Sequence, residues 1–410
     1  MRNLELKSYQ VPEILDLLLV QQSHITNDPW LPRLKGFRWD RVTEELIPLI
    51  PFFLSPRTTK INITMLFGKC VPAALIVPII TRLPTLCPDM DDICLGPLPN
   101  DPVITEVVSE MLLACKKDQL RTFRVDSPLT KEALEVACQL PKLSHLKVVV
   151  EGSAPLPRLP NLATISIAFD SCLDWLEGFR GARLARLESV DFFSASGVVD
   201  DFFGVFERAT LTTVKHSLSK LSFCTVYRWK PNYRPLVPFT QLEELSVEFS
   251  CIGICSSGID DDVIMELAEA MPKLKVLILG DPPCDVITGV TIKGLTALAH
   301  NCQHLSRLRI HFRVDSVVEA VEIQRQSRSL RETTTWKHDC ALTDLEVGMT
   351  PILGLGGWRI AKGLLQIFPC LRKIRFFGMP PWREVQQVLL SSAETIELNH
   401  QTGETCLQCC

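Results

Sequence analysis

A nine-residue phrase, with apolar residues at offsets 0, 3, 6 and 8, recurs along this chain. Full copies include Leu31-Leu34-Phe37-Trp39, Leu140-Leu143-Leu146-Val148, Leu159-Leu162-Ile165-Ile167 and Leu184-Leu187-Val190-Phe192. Phe239-Leu242-Leu245-Val247, Met271-Leu274-Leu277-Leu279, Cys302-Leu305-Leu308-Ile310 and Phe368-Leu371-Ile374-Phe376 repeat it. Cys87-Met90-Ile93-Leu95 and Leu218-Leu221-Cys224-Val226 also read as copies, and partial ones end at Ile63, Val125, Val347 and Leu398. One such unit cannot bury its own apolar side, so neighbouring units must stack.

The offsets have a direct structural meaning. Residues at offsets 6 and 8 are two apart and share one face of a strand, while those at 0 and 3 lie on the turn entering it. The fold class that follows is α/β: an irregular leucine-rich-repeat solenoid, a horseshoe with a parallel sheet on its concave face and helices or loops on its convex face. Helical returns are expected after Asp101-Pro102, Thr130, Asp260-Asp261-Asp262 and Thr291, each a capping residue ahead of an apolar stripe. The return from 149 to 162 holds Pro155, Pro157 and Pro160 and reads as extended or loop.

The domain reading is a helical or capping segment at 1–30, a solenoid at 31–400 with a polar insertion at 313–341, and a cysteine-rich tail at 401–410. Lys+Arg 43 against Asp+Glu 47 gives a net charge of -4, which is no footprint for nucleic acid or an anionic membrane. The start lacks a signal-peptide apolar core, and the longest apolar stretch, Cys70 to Ile80, is too short to span a bilayer. Cys87, Cys224 and Cys302 stand at apolar offsets, where a thiol acts as a small hydrophobe, so a cytoplasmic or nuclear location is expected.

Several motifs invite chemistry and fall short of it. Gly354-Leu355-Gly356-Gly357 lacks the partners of a phosphate loop. Asp260-Asp261-Asp262 has no further oxygen ligands at calcium-loop spacing and reads as a helix cap. His300, Cys302 and His304 alternate, but the thiol belongs to the core and no paired half-site follows. The terminal Cys409-Cys410 is not a prenylation box, with lipidation kept as a secondary reading beside a frayed end. No nucleophile–base set is visible, so the expectation is a non-enzymatic protein with no cofactor and no metal.

If offsets 6 and 8 face inward, offsets 5, 7 and 9 form a broad outer face suited to a protein partner. The candidate contact residues there are Phe193, Phe223, Tyr227, Val276, Ile278, Arg307, Arg309, His311, Arg375 and Phe377. Aromatic side chains in solvent positions mark a contact patch. At offset 7 the signs alternate, Arg309, Glu346, Arg375, Glu397, and such a row can pair within itself.

The stretches DPVITEVVSEMLLACKKDQLRTFRVDSPLTKEA (101–133), WLEGFRGARLARLESV (175–190), PFTQLEELSVEFSC (238–251), IDDDVIMELAEAMPKLKVLILG (259–280), TGVTIKGLTALAHNCQHLSRLRIHF (288–312) and DCALTDLEVGMTPI (339–352) carry a resemblance. From about Leu31 to Glu397 the chain resembles the leucine-rich-repeat region of fungal F-box proteins. Val11-Pro12-Glu13-Ile14-Leu15 resembles the opening of an F-box, but the first repeat begins by Leu31, so the F-box is absent or truncated. The resemblance implies a substrate receptor of an SCF-type ubiquitin ligase, holding a protein substrate on its repeats and, where the N-terminal segment suffices, the SCF adaptor subunit. The alternative is a repeat scaffold with no ubiquitin role.

Overall fold

The computed structural model describes residues 2–7, 29–65, 71–150, 162–169, 184, 186–194, 201–225, 231–249, 256–280, 287–315, 317, 340–348, 356–376 and 382–391. It divides into two units, Met1–Phe193 and Ser194–Cys410. It is a mixed α/β structure whose main sheet strands run parallel and do not close into a barrel.

In the first unit, β1 (Asn3–Lys7), β2 (Gly36–Val42), β3 (Lys60–Met65), β4 (Asp92–Gly96), β5 (Thr122–Pro128), β6 (His145–Val150), β7 (Thr164–Phe169) and β8 (Ser189–Ser194) follow one another in chain order. Consecutive strands from β1 to β7 pair in parallel with the phrase in register: Ile61 sits beside Ile93, Ile93 beside Phe123, and Leu146 beside Ile165. Helices α1 (Ala73–Leu86), α2 (Pro102–Ala114) and α3 (Lys131–Gln139) supply three of the returns. The inward residues at offsets 6 and 8, such as Phe123, Val125, Ile165 and Ile167, are wholly buried.

One joint recurs along the main sheet within each unit. The carbonyl at offset 4 accepts the backbone N–H of offsets 4 and 5 of the next unit: Thr59 O from Asp91 N at 2.8 Å and Asp92 N at 3.1 Å, and Arg121 O from Ser144 N at 2.8 Å and His145 N at 3.1 Å. The second unit repeats it, with Glu243 O accepting from Lys275 N at 2.7 Å and Val276 N at 3.1 Å. Polar substitutes for apolar offsets are built into the same joint. Ser55 and Thr58 occupy offsets 0 and 3 ahead of β3, are buried, and both hydroxyls donate to Leu34 O, at 3.4 and 3.2 Å. Buried hydroxyls bonded to backbone carbonyls carry little penalty, which is why a partial phrase still packs.

In the second unit, α4 (Phe202–Val214) leads to β9 (Lys220–Thr225) and β10 (Glu244–Phe249). A separate parallel pair, β11 (Ser256–Asp260) with β13 (Ile287–Gly289), flanks β12 (Val276–Leu279) in sequence. After these come β14 (Arg307–Arg309), β15 (Asp344–Gly348) and β16 (Lys373–Phe376). The main pairing order is β9, β10, β12, β14, β15, β16. Helices α5 (Asp261–Ala270), α6 (Ile292–Asn301), α7 (Gly357–Ile367) and α8 (382–391) complete the unit.

The expected helix starts form as capped termini. Asp101 accepts from Val103 N at 2.8 Å, Thr130 from Ala133 N at 3.3 Å, Asp260 from Val263 N at 2.9 Å and Thr291 from Lys293 N at 3.2 Å. Asp261 adds a bond between helices. Its carboxylate accepts from Thr291 N (2.7 Å), Thr291 Oγ1 (2.6 Å) and Gly294 N (2.9 Å), so the positive start of α6 is lashed to α5. A Cβ at position 294 would lie 2.8 Å from Asp261 Oδ1, so this approach requires glycine.

Two departures from the sequence reading, and one helix that it did not name, have physical causes. The segment 1–30, read as helical or capping, opens on β1, where Leu4 and Leu6 alternate with polar residues and pair with Phe37 and Trp39. Helix α1 forms although it contains Pro78 and Pro84, because Ile76, Ile79, Ile80 and Leu83 bury one continuous apolar stripe. The repeat copy at β9 is displaced by three residues: Leu221, Phe223 and Thr225 point inward and Cys224 outward, while Val226 lies outside the described residues. A three-residue shift in a period-two strand exchanges its faces. The return from 151 to 161, most of the 313–341 insertion, the Gly354-Leu355 half of the glycine run and the 401–410 tail lie outside the described residues.

Candidate functional site

The β9 correction alters the candidate contact residues directly. Phe223 is wholly buried, with its ring centroid 4.6 Å from that of Phe202 and 6.0 Å from that of Phe203. It is core, and the outward residues of β9 are Ser222 and Cys224, both half-buried. Phe193, at the end of β8, is 40% exposed, as an outward aromatic should be. Tyr227 and Phe377 lie outside the described residues.

The remaining candidates come together on the outer face of the second unit. Parallel pairing puts Ser246, Ile278, Arg309, Glu346 and Arg375 in one row across β10, β12, β14, β15 and β16. A second row holds Val276, Arg307, Asp344 and Lys373. Within this grid the Arg309 guanidinium bridges two carboxylates. Its Nη1 donates to Glu248 Oε2 at 2.8 Å, reaching from β14 past β12 to β10, while its Nε lies 3.0 Å from Glu346 Oε1. Arg307 Nη2 approaches the other Glu346 oxygen at 3.6 Å, and Ser246 Oγ steadies Glu248 Oε1 at 3.0 Å. Arg375 turns from Glu346 to Asp344, at 3.5 Å.

The centre of this network is dry. The side chains of Arg309 and Glu346 are only 12% and 6% exposed, and Ile278 beside them is 7% exposed. His311 is buried as well, and Val276 and Arg307 are half-buried, so the row reads as a set of packed charges and not as loose surface lysines and arginines. Neither Arg309 Nε nor Glu346 Oε2 completes a hydrogen bond. The contact between them is therefore one of charge rather than of direction, and Glu346 keeps one oxygen with unspent acceptor capacity.

Next along β12 from Leu279 stands Gly280, at φ 93, a left-handed conformation that glycine adopts without strain. The sequence signal for the network was the sign alternation at offset 7. Glu248 carried no such signal, because it stands at offset 9 and Arg309 reaches it only by crossing a whole strand.

The first unit presents a comparable row at offset 7: Arg38, Asn62, Cys94, Arg124 and Lys147. Its charges pair locally, Arg38 with Asp40 at 3.1 Å and Lys147 with Asp126 at 2.6 Å. Burial pushes the Cys94 thiol above its ordinary range against the opposing pull of Arg124, so it stays protonated and poorly nucleophilic at neutral pH. Cys87, Cys138 and Cys302 are pushed up to about 12 and Cys115 to about 11, again by burial. Cys302 faces the core, donating to Met271 O at 3.6 Å, while His300 and His304 are exposed. Cys224, read as a core thiol, is half-buried on the outer face instead.

Among the described residues, no group of three or more His, Cys, Asp or Glu side chains could hold a metal ion. Among them, too, no helix is long and apolar enough to cross a membrane. The chain matches no protein-family model and no curated protein.

Proposed function

We propose that the chain is a non-enzymatic protein-recognition module: a leucine-rich-repeat horseshoe that offers its concave sheet face to a protein. Following the resemblance to fungal F-box proteins, its place is that of a substrate receptor in an SCF-type ubiquitin ligase. The observation that carries the recognition reading is the Glu248–Arg309–Glu346 chain, fixed over Ile278 on a sheet face, with Arg309 and Glu346 already desolvated and Glu248 reaching solvent. Charges held in place before a partner arrives give specificity and fast association at small ordering cost. A cytoplasmic or nuclear setting accords with the buried thiols.

Affinity capture with the full chain, read by mass spectrometry, tests recognition. Arg307→Ala and Arg375→Ala, at the accessible margin, should reduce capture of the principal partner while leaving the melting temperature in place. Undiminished capture by both variants removes this face from the reading. Binding of the purified SCF adaptor tests the ligase assignment separately, and its failure leaves a repeat scaffold with no ubiquitin role.

A further inference from the structure

The turns that lead into β2 and β3 carry four cations without a counter-charge. The two turns are built alike: Leu31-Pro32-Arg33-Leu34 and Ser55-Pro56-Arg57-Thr58 each close with the fourth N–H donating to the first carbonyl, at 3.0 and 2.9 Å. Proline suits the second place of such a turn and stiffens it, so each arginine projects from a fixed frame. Leu34 and Thr58 are wholly buried and anchor the frames. The carbonyl joint sets them one rung apart, with Lys35 O accepting Thr59 N and Lys60 N at 2.8 and 3.0 Å. Arg33, Lys35, Arg57 and Lys60 are all exposed, and no carboxylate of the described residues lies within 4.0 Å of any of them. Elsewhere a lysine of these turns meets a carboxylate one rung away, as Lys275 Nζ meets Glu243 Oε2 at 2.7 Å.

The carboxylates that could neutralise the four are committed on their other side. The turn into β4 places Asp89, Asp91 and Asp92 at offsets 2, 4 and 5, the offsets of the cations. Asp89 takes Lys116 Nζ at 2.5 Å, ahead of β5. Asp92 stands beside Lys60 in register, yet its ion-pair contact is Arg124 of β5, at 4.0 Å. Asp91 has one oxygen buried and without a hydrogen bond. Like charges on neighbouring rungs repel, and here nothing in the described fold offsets that.

We propose that these two turns dock a short acidic segment of a partner protein, whose Asp and Glu side chains supply the missing counter-charge. The site stands on the first unit and does not rest on the outer face of the second. Guanidinium groups bind carboxylates in a two-pronged fashion, and rigid turns present them at small ordering cost. All four side chains are exposed rather than set in a cleft, so they read charge along a chain and not the shape of a small anion. The block is two rungs wide, about 10 Å, which matches about three extended residues. Next along the edge come Asp89 and Asp91, where the further phosphates of a nucleic acid would meet like charge.

Fluorescence anisotropy of a labelled oligo-glutamate peptide with the full chain, over a salt series, tests the proposal. The peptide should bind at low salt and be released as salt rises. Arg33→Ala with Arg57→Ala should weaken binding roughly tenfold. Asp89→Lys, which extends the block by one rung, should strengthen it. Lys142→Ala, at the same offset of the turn into β6, should change nothing, and neither should Arg307→Ala or Arg375→Ala. The proposal is overturned if the peptide does not bind or if the folded double variant binds as well as the parent. It is overturned, too, if Arg307→Ala or Arg375→Ala weakens binding as much, which moves acidic recognition to the second unit. Tighter binding of a single-stranded oligonucleotide of equal charge, or of phosphatidylserine vesicles, also overturns it. Should the double variant lose its far-ultraviolet circular dichroism, Arg33→Gln with Arg57→Gln carries the same test. Failure of both to fold makes the arginines structural and ends the proposal.

Discussion

Replacing Arg309 with Met isolates the worth of the desolvated charge network. The substitution keeps an apolar stem and removes the cation from between two carboxylates. Glu248, whose side chain is 43% exposed, turns to water, so its share of the loss is below about 1 kcal/mol. Glu346, at 6%, has no such recourse. Stranding a buried charge costs about 3–5 kcal/mol. Arg307, 3.6 Å away but itself 37% exposed, offsets part of that, so the net loss should be about 2–4 kcal/mol. Urea unfolding followed by circular dichroism measures it. The decisive companion is Arg309→Met with Glu346→Leu, which removes both charges and should recover most of the deficit, since apolar replacements of a whole buried pair are commonly neutral or stabilising. A single variant within about 1 kcal/mol of the parent, or a double variant no better than the single, would show that the network is solvated and the argument mistaken.

Phe193→Ala should shift stability by no more than about 0.5 kcal/mol, whereas Phe223→Ala should cost about 3–5 kcal/mol; equal losses in thermal melts would contradict the corrected β9 register. Tyr233 is buried with a hydroxyl that has no hydrogen-bond partner, and burial pushes its acidity far below ordinary phenol. Tyr233→Phe should therefore be neutral or stabilise by about 1–2 kcal/mol, and a clear loss in the same melts would reveal a bond to that oxygen. Gly280→Ala forces a side chain into left-handed backbone and should destabilise by about 1–2 kcal/mol, although the space itself is ordinary, with His311 Cδ2 3.6 Å from the added carbon. An unaltered midpoint would mean that the strand end relaxes without resistance.

The parallel sheet was legible because offsets 6 and 8 carry aliphatic residues at nearly every copy, and helix starts were legible because a cap precedes each apolar stripe. Reading failed where the wrong frame was the more apolar one. Leu218-Leu221-Cys224-Val226 satisfies the phrase better than the true frame, in which Lys215 takes offset 0, and only pairing with β10 decides between them. Helix α1 was obscured by its two prolines, which argue against a helix interior when taken without the stripe they interrupt. Of the contact face, sign alternation revealed Arg309 with Glu346, while Glu248 is reached across a whole strand and leaves no periodic trace.

The shared carbonyl joint also separates spacing from alignment. Within each unit, a main-sheet strand takes its start from one fixed atom of its predecessor, so the length of the return between them does not enter the alignment. Residues can be gained or lost on the covered side over generations while the pattern shown to a visitor keeps its pitch. Shortening a return by a few residues should accordingly leave the outer rows in place, and grafting a longer one should add bulk behind the sheet without moving a single outward side chain.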